Sequence, residues 1–527
     1  MDKNTFERNL LALSNNDPSL YSKLSSALTT KGLYRFIKAR SGEIIPAITS
    51  SEGAALPLHS TVDPRREGER LIATLSNEGC LVFLGLGGAF AAETALTLNS
   101  AKKIIIVEYD CDGIAELLSS KDYIKLFSDP RVFLLFDPAP EELESFIVNN
   151  YLPALDGGIR VFPLRVRVDA DKRFSFAADA VKDAIDKVSM DYSVQAYFGK
   201  RWFTNIIRNI FLAEKQTASI MPIRKALICA AGPSLEENFH EIKMQQTVHK
   251  KDLMVIAADT SLPALLHAGI EPDAVISIDC QHISYQHLFT KVPEKTLLFL
   301  DLASPPSIAS RSENRVFFSG RHPFSLYINR YWRPLPLLDT SGANVTHAAL
   351  SLAENLGARE ITLYGADFSY PMGKTYARGA YIYPFFEKIQ SRLVPLEAHH
   401  SGFLYRDHSL KKIIKNPGIW YYETKSLVFY REKAAEKTKN IAESQYRERS
   451  FFSSGKARLG AFDFLREYFN SISELSSFNP VLQNEPLSTL LPLAAFFRRI
   501  NPSYNSEELF NAVKSCCLEE LKKIIRI

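Results

Sequence analysis

The chain has 527 residues, 46% of them apolar and 23% charged. That balance is ordinary for a soluble globular protein, and the length exceeds what one core supports, so two to four domains are expected. Its 63 basic and 59 acidic side chains leave a net charge of +4, which argues against nucleic acid as the main partner. No stretch approaches the roughly 20 uninterrupted apolar residues of a membrane span. The opening segment Met1 to Arg8 is charged and lacks the apolar core of a signal peptide. The cysteines Cys80, Cys111, Cys229, Cys280, Cys516 and Cys517 form no CxxC pair. They read as free thiols in a reducing cytoplasm, which is the expected location.

In chain order, residues 1 to about 70 read as helices and loops, with Asn15-Asn-Asp-Pro18 as a turn. Leu81 to Leu84 is an apolar strand running into the tight turn Gly85-Leu-Gly-Gly88, and a helix is predicted from Ala89 to Leu98. Lys103 to Glu108 is the next buried strand and ends in an acid, the arrangement of a Rossmann-like or methyltransferase-like opening. A strand at 132–136 and a helix rich in Glu141, Glu142 and Glu144 extend the unit. Ala178 to Leu212 reads as helical, and Ala218 to Pro222 as an interdomain connection.

From Lys225 the alternation restarts, with strands expected at 226–231, 253–258, 274–279, 297–301, 315–319 and 361–366, and helices at 260–268 and 344–356. That pattern predicts a second, mostly parallel sheet. Beyond about residue 420 the spacing turns helical: Arg431 to Arg449, then 458–474, 488–499 and 506–525. The fold class is therefore α/β. An N-terminal helical segment with a Rossmann-like domain is expected over 1–215, a central Rossmann-like α/β domain over 216–415, and a C-terminal helical domain over 416–527.

Two turns of small residues in the central domain are the candidates for chemistry. Gly232-Pro233-Ser234 follows a strand, where glycine permits close backbone approach and the serine hydroxyl lies near a helix N-terminus. A plain strand-to-helix turn is the alternative. Asp259 ends the next strand and would bond a ribose or base, or cap the helix that follows. Asp279 ends another, where α/β folds place site residues. Ser341-Gly342, with Asn344 and Thr346 opening a helix, forms a ligand loop or a simple helix cap. Downstream lie Asp367, Tyr370 and Tyr376, two tyrosines six residues apart whose hydroxyls are able to donate to a phosphate, though on their own such tyrosines are more often surface packing.

Pro57-Leu-His-Ser60 with Asp63 to Glu69, Phe198-Gly-Lys-Arg-Trp202, Gly232-Pro-Ser-Leu235, Ala268 to Asp273 and Ser341 to His347 together resemble the motility-associated-factor (Maf) family of flagellin glycosyltransferases. The resemblance covers most of the chain. Its central domain is of the 6-hydroxymethylpterin diphosphokinase MptE-like kind and is also similar to bacterial sialyltransferases. There a Gly-Pro-Ser-Leu turn and a Thr-Ser-Gly loop bind CMP, and two tyrosines after an Asp-Phe pair hold the donor phosphate. Asp367-Phe368, Tyr370 and Tyr376 match that pattern with one extra residue before the first tyrosine.

The resemblance implies transfer of a nonulosonic acid (sialic, pseudaminic or legionaminic type) from a CMP-sugar to a serine or threonine of flagellin. It implies no metal and no cofactor beyond the donor. Tyr370 and Tyr376 would stabilise the departing phosphate, with the backbone amides of Gly232, Ser341 and Gly342. A histidine would serve as base: His399 and His400 stand 23 and 24 residues after Tyr376, with His408 in reserve. A surface histidine pair is the plainer reading. His347, beside Ala348 and Ala349, suits packing or a structural hydrogen bond.

Three rivals stand beside this reading. A pterin diphosphokinase-like enzyme would use ATP and Mg²⁺ on Asp259, Asp273 and Asp279. An S-adenosylmethionine methyltransferase would use Gly85, Gly87 and Glu108, but a lone GxGG is weak and that domain reads better as a scaffold. A non-catalytic flagellin-binding assembly factor is the third. The oligomeric state is not legible in the sequence.

Overall fold

The computed structural model describes residues 3–16, 18–25, 32–49, 53–75, 79–216, 219–248, 252–281, 284–288, 291–416, 418–443, 452–453, 455–479 and 484–525. The chain divides into two compact units, one of residues 1–197 and 497–506, the other of residues 198–496 and 507–527. The boundary falls inside a single 43-residue helix, Lys172–Glu214. The helix Ala461–Glu474, the first part of Leu491–Ile500 and most of Ser506–Ile525 thus cluster with the central sheet.

In the first unit, β1 (Tyr34–Lys38), β2 (Ile44–Thr49) and β3 (Ala55–Pro57) form a small antiparallel sheet. This corrects the helix-and-loop expectation for residues 1–70, where, among the described residues, Lys3–Asn16, Pro18–Ser25 and the start of Pro64–Ala73 are helical. Tyr34-Arg-Phe-Ile-Lys38 carries polar residues between its apolar ones, so no continuous apolar run marks the strand. Strands β4 (Gly79–Leu84), β5 (Ala101–Glu108), β6 (Val132–Phe136) and β7 (Gly158–Pro163) make a parallel sheet in the order β6-β5-β4-β7.

The glycine turn after β4 is filled by the protein's own side chains. Glu108, fully buried, accepts hydrogen bonds from the N–H groups of Leu86 and Tyr109, both at 2.9 Å, and pairs with Arg167 at 3.4 Å. His59 Nε2 accepts the Gly88 N–H at 2.8 Å, and a side chain at Gly87 would run into that imidazole. The acid that would hold a ribose in a nucleotide-binding Rossmann unit is committed to this network.

The second unit holds a six-stranded parallel sheet. A short β8 (Ser219–Ile220) precedes β9 (Lys225–Cys229), β10 (Leu253–Ala258), β11 (Ala274–Ser277), β12 (Leu297–Asp301), β13 (Arg315–Phe318) and β14 (Glu360–Tyr364). The order is β13-β12-β11-β10-β9-β14, every pair parallel. The strands β9 to β13 are mainly apolar runs because both sheet faces are covered there; β10 and β11 are buried at every position, while the edge strand β14 is partly exposed. The chain moves from β9 outward to β13, then returns across the sheet to place β14 beside β9. The reversal point, where such sheets bind ligands, therefore lies between the carboxyl ends of β9 and β14.

Beyond this sheet, β15 (Tyr370–Pro371), β16 (Lys411–Asn416) and β17 (Ile419–Glu423) form an antiparallel sheet, and β18 (Phe452–Ser453) pairs with β8. No helix among the described residues is long and apolar enough to cross a membrane. All six cysteines are free thiols.

Candidate functional site

Both small-residue turns stand at the carboxyl edge of the central sheet. The first is locked from within. Gly232 donates its N–H to the Gly365 carbonyl at 2.8 Å, and the Ser234 N–H donates to Asp367 Oδ2 at 3.0 Å. A Cβ at position 232 would collide with the Asp367 carboxylate and the Gly365 carbonyl, which is why glycine stands there. Pro233 opens a short 3₁₀ helix, Pro233–Asn238, and its missing N–H costs nothing at that position. Asp367 thus caps this turn rather than standing open to a ligand.

The same turn carries the tyrosine loop. Ala377 N–H donates to the Ala231 carbonyl at 2.8 Å, Lys374 Nζ meets Glu236 Oε1 at 2.6 Å, and Glu236 also accepts from the Arg378 N–H. Tyr376 is held between these ties. Burial pushes its phenol well above the ordinary value, so it is a donor throughout the physiological range. Its ring lies 5.6 Å from Tyr381 and 5.9 Å from Phe403, centroid to centroid. Tyr370, at the start of β15, is also raised by burial. Phe368 and Met372, on either side of it, adopt left-handed backbone with φ of 44° and 52°. Strain of that sort concentrates at functional loops.

The second turn belongs to the cap of the helix Val345–Asn355, which crosses behind the sheet and leads to β14. Asn344 Oδ1 accepts the His347 N–H at 2.9 Å, and Asp339 Oδ1 accepts the Ser341 N–H at 3.0 Å and its hydroxyl at 2.6 Å. His347 is buried with Nε2 3.3 Å from Asp339 Oδ2, and Lys437 lies 3.8 Å from the same oxygen. Burial works against the Asp339 charge, but the Ser341 and His347 hydrogen bonds hold its carboxyl well below the usual range. Gly342 leaves room for the His347 ring, with which any Cβ would collide.

Asp259 and Asp279, at the ends of β10 and β11, come together with a residue the sequence reading did not single out, His287. One ligand atom of each lies within 4.8 Å of the other two. Asp259 is fully buried: its Oδ1 accepts the Thr260 N–H at 2.7 Å, and its Oδ2 accepts the Ser277 hydroxyl at 2.7 Å and stands 3.2 Å from His287 Nδ1. Burial pulls the imidazole pKa down, but the charge and hydrogen bond of Asp259 outweigh it and raise the net value. The His287 ring packs 4.2 Å from Tyr381. Asp273, grouped with these acids in the sequence, is elsewhere: it precedes β11 at the opposite edge and accepts the Val255 N–H at 2.8 Å.

His399 and His400 lie in the helix Leu396–Leu404 against Phe386 in the helix Ile382–Ile389. His399 stacks on that ring at 5.3 Å and 23°, whereas His400 meets it edge-on at 5.0 Å and approaches Thr375 Oγ1 at 3.4 Å through Nδ1. The Nε2 of each is buried without a hydrogen-bond partner. Burial holds the His400 imidazole below its ordinary value, so it stands neutral and able to accept a proton. His408 is exposed on the segment after this helix.

A cation that sequence reasoning missed completes the picture. The Arg406 guanidinium sits 3.9 Å over the Phe403 ring, and its charge lowers the pKa values of Tyr370, Tyr376 and Tyr381 against the effect of burial. No spacing rule points to it, because the loop between helix and strand brings it back over the tyrosines.

Residues 201–373 match the family described as 6-hydroxymethylpterin diphosphokinase MptE-like. The structure of a Maf glycosyltransferase from Magnetospirillum magneticum AMB-1 superposes with a TM-score of 0.57 at 14% identity, covering 100% of this chain and 95% of that one. Residues 201–373 are thus similar to the MptE-like family, and the fold of the chain is similar to that of the Maf glycosyltransferase. Among curated proteins, three uncharacterized proteins of Treponema pallidum (strain Nichols) align. One is 37% identical over 124 residues (23% of this chain, 44% of that protein), another 29% over 179 (33% and 83%), a third 25% over 247 (46% and 53%). The matched stretches span about half the length of the first and third.

Proposed function

We propose that the chain is a glycosyltransferase that moves a nonulosonic acid from a CMP-sugar to a serine or threonine hydroxyl of flagellin in the cytoplasm. The observation that carries this reading is the meeting of Tyr376, Tyr381 and Phe403 beside the locked Gly232 turn, in a chain with the fold of a Maf glycosyltransferase.

The chemistry follows from these groups. The bond from the anomeric carbon to the phosphate oxygen breaks, and its electron pair stays on that oxygen. Hydroxyls of Tyr370 and Tyr376 donate to the charge that builds there, a stabilisation that needs no metal. The acceptor oxygen bonds the anomeric carbon, and its proton passes to His400, whose Nε2 has no other partner. Asp259 and Asp279 stand at the edge where ribose and base would lie. Ser341, Gly342 and Asn344 border it, while Gly232, Pro233, Ser234 and Asp367 shape it.

Turnover of a CMP-nonulosonic acid with purified flagellin tests the reading. Tyr370→Phe with Tyr376→Phe is expected to cut turnover at least 100-fold while leaving folding intact; unchanged turnover removes the phosphate role.

The Asp259–Asp279–His287 cluster favours a second reading, a metal-dependent diphosphokinase, to which the MptE-like match also points. Two carboxylates and an imidazole are a usable donor set for a divalent ion. Against it, Asp259 already accepts from Thr260 and Ser277. Stabilisation by ATP with Mg²⁺ and not by CMP would favour it.

A further inference from the structure

We infer that Arg406 and the tyrosines beside it form an anion subsite for the phosphate of a nucleoside monophosphate, the guanidinium supplying the positive charge that the hydroxyls lack. The inference rests on the transferase reading for the identity of the nucleoside, but not for the subsite itself.

Four aromatic rings form a row at the carboxyl edge. His287 lies 4.2 Å from Tyr381, Tyr381 lies 5.6 Å from Tyr376, and Tyr376 lies 5.9 Å from Phe403. One end of the row is anionic, where Asp259 holds His287. The other end is cationic, where Arg406 covers Phe403. A phosphate is repelled from the first end and drawn to the second.

The guanidinium is available for such a ligand. Among the described residues it makes no hydrogen bond and no ion pair, and it stacks on the Phe403 ring. The adjacent carboxylate, Asp407, forms no ion pair with it and accepts both the N–H and the hydroxyl of Ser409 at 2.8 Å. Three other arginines of this unit are committed: Arg333 to the carbonyls of Gly455 and Gln216, Arg431 to Glu423 and Arg330 to Glu485. Arg201 and Arg466 also lie over rings, those of Phe198 and Phe462. Stacking on Phe403 fixes the plane of the fork while leaving its N–H edge free, which suits two-point recognition of a phosphate.

The position also explains why the site needs a fixed cation. Tyrosine hydroxyls that burial keeps protonated donate hydrogen bonds but carry no charge. A phosphate-monoester leaving group departs with about two negative charges at neutral pH.

Calorimetric titration of the full chain with CMP, AMP, inorganic phosphate and cytidine tests the subsite. Arg406→Gln is expected to weaken nucleoside monophosphate binding about 10- to 100-fold and leave cytidine unchanged, with Arg406→Lys recovering part of the loss. The residue is exposed, so the unliganded melting temperature of either variant should stay at the wild-type value. Equal CMP affinity in Arg406→Gln and wild type would overturn the subsite and leave the transferase reading standing. Binding of AMP but not CMP, lost in Arg406→Gln, would keep the subsite and overturn the CMP reading. Failure of wild type to bind any phosphate probe, or to bind CMP better than cytidine, would overturn the subsite outright.

Discussion

Asp259 Oδ2 lies 3.2 Å from His287 Nδ1 at the carboxyl edge of the central sheet, with the Ser277 hydroxyl on the same oxygen at 2.7 Å. The carboxylate is spent on holding a side chain that in turn supports Tyr381. If that support is structural, chelation does not matter: transfer in EDTA is expected to run at the unchelated rate. Loss of activity that Mg²⁺ restores would shift the account to the diphosphokinase reading.

The base is separable from donor binding. His400→Gln should lower transfer by about 10²- to 10⁴-fold while CMP affinity stays constant. Because burial lowers the His400 pKa, the neutral, proton-accepting form persists into more acid solution. The acid limb of the rate profile should therefore fall below the ordinary histidine value of about 6.5. A limb at or above it would assign the base elsewhere.

The Gly232 turn is a packing constraint before it is a binding one. Gly232→Ala must displace the Asp367 cap or the Gly365 carbonyl, and Asp367 then loses its bond to the Ser234 N–H. A loss of about 1–3 kcal/mol in denaturant unfolding is expected, with weakened CMP binding. Wild-type stability in that variant would contradict the geometry.

Acid sensitivity should come from His322. Burial lowers its pKa to about 3, its Nε2 has no partner, and the ring packs against Trp202 at 4.9 Å. The fold needs the neutral ring, so this contribution is complete above about pH 6.5 and is lost as pH falls towards 3. The slope is about 1.4 kcal/mol per pH unit at most. His322→Gln should flatten that part of the unfolding profile.

In the first unit, Glu108 already serves the amides of Leu86 and Tyr109 and the charge of Arg167. S-adenosylmethionine should leave the melting temperature unchanged. Glu108→Gln, which leaves Arg167 with Asp171 at 3.9 Å and the Tyr109 carbonyl at 3.3 Å, should cost about 1–3 kcal/mol.

What was legible in the sequence follows from what each element buries. All six strands of the central sheet fall within two residues of their expected ends. Strands β9 to β13 are mainly buried apolar runs covered on both faces, whereas the edge strand β14 alternates exposed and half-buried residues. The helix Ser506–Ile525 was readable from its spacing to the residue. Other strands were not: β1, β7 and the β15-β17-β16 sheet mix polar and apolar residues without a clean period, β2 is interrupted by Pro46, and β3 is only three residues long. The expectation for Arg431 to Arg449 meets the helix Lys425–Glu443, and residues 444–449 lie outside the described residues.

The candidate site was legible only in part, for a different reason. Turns at strand ends announce themselves through glycine, so Gly232 and Gly342 were visible. Whether a turn's amides are open or already bonded depends on distant partners such as Asp367, 133 residues away from Ser234. His287 and Arg406 belong to no motif, and only the fold brings them to the tyrosines.

The central claim, a metal-free site for a CMP-sugar, is tested most directly by thermal unfolding of the full chain with CMP, ATP plus Mg²⁺, and no ligand. A concentration-dependent rise in melting temperature with CMP alone is the predicted result, since a ligand that binds only the native state stabilises it. A rise with ATP and Mg²⁺ and none with CMP would contradict it.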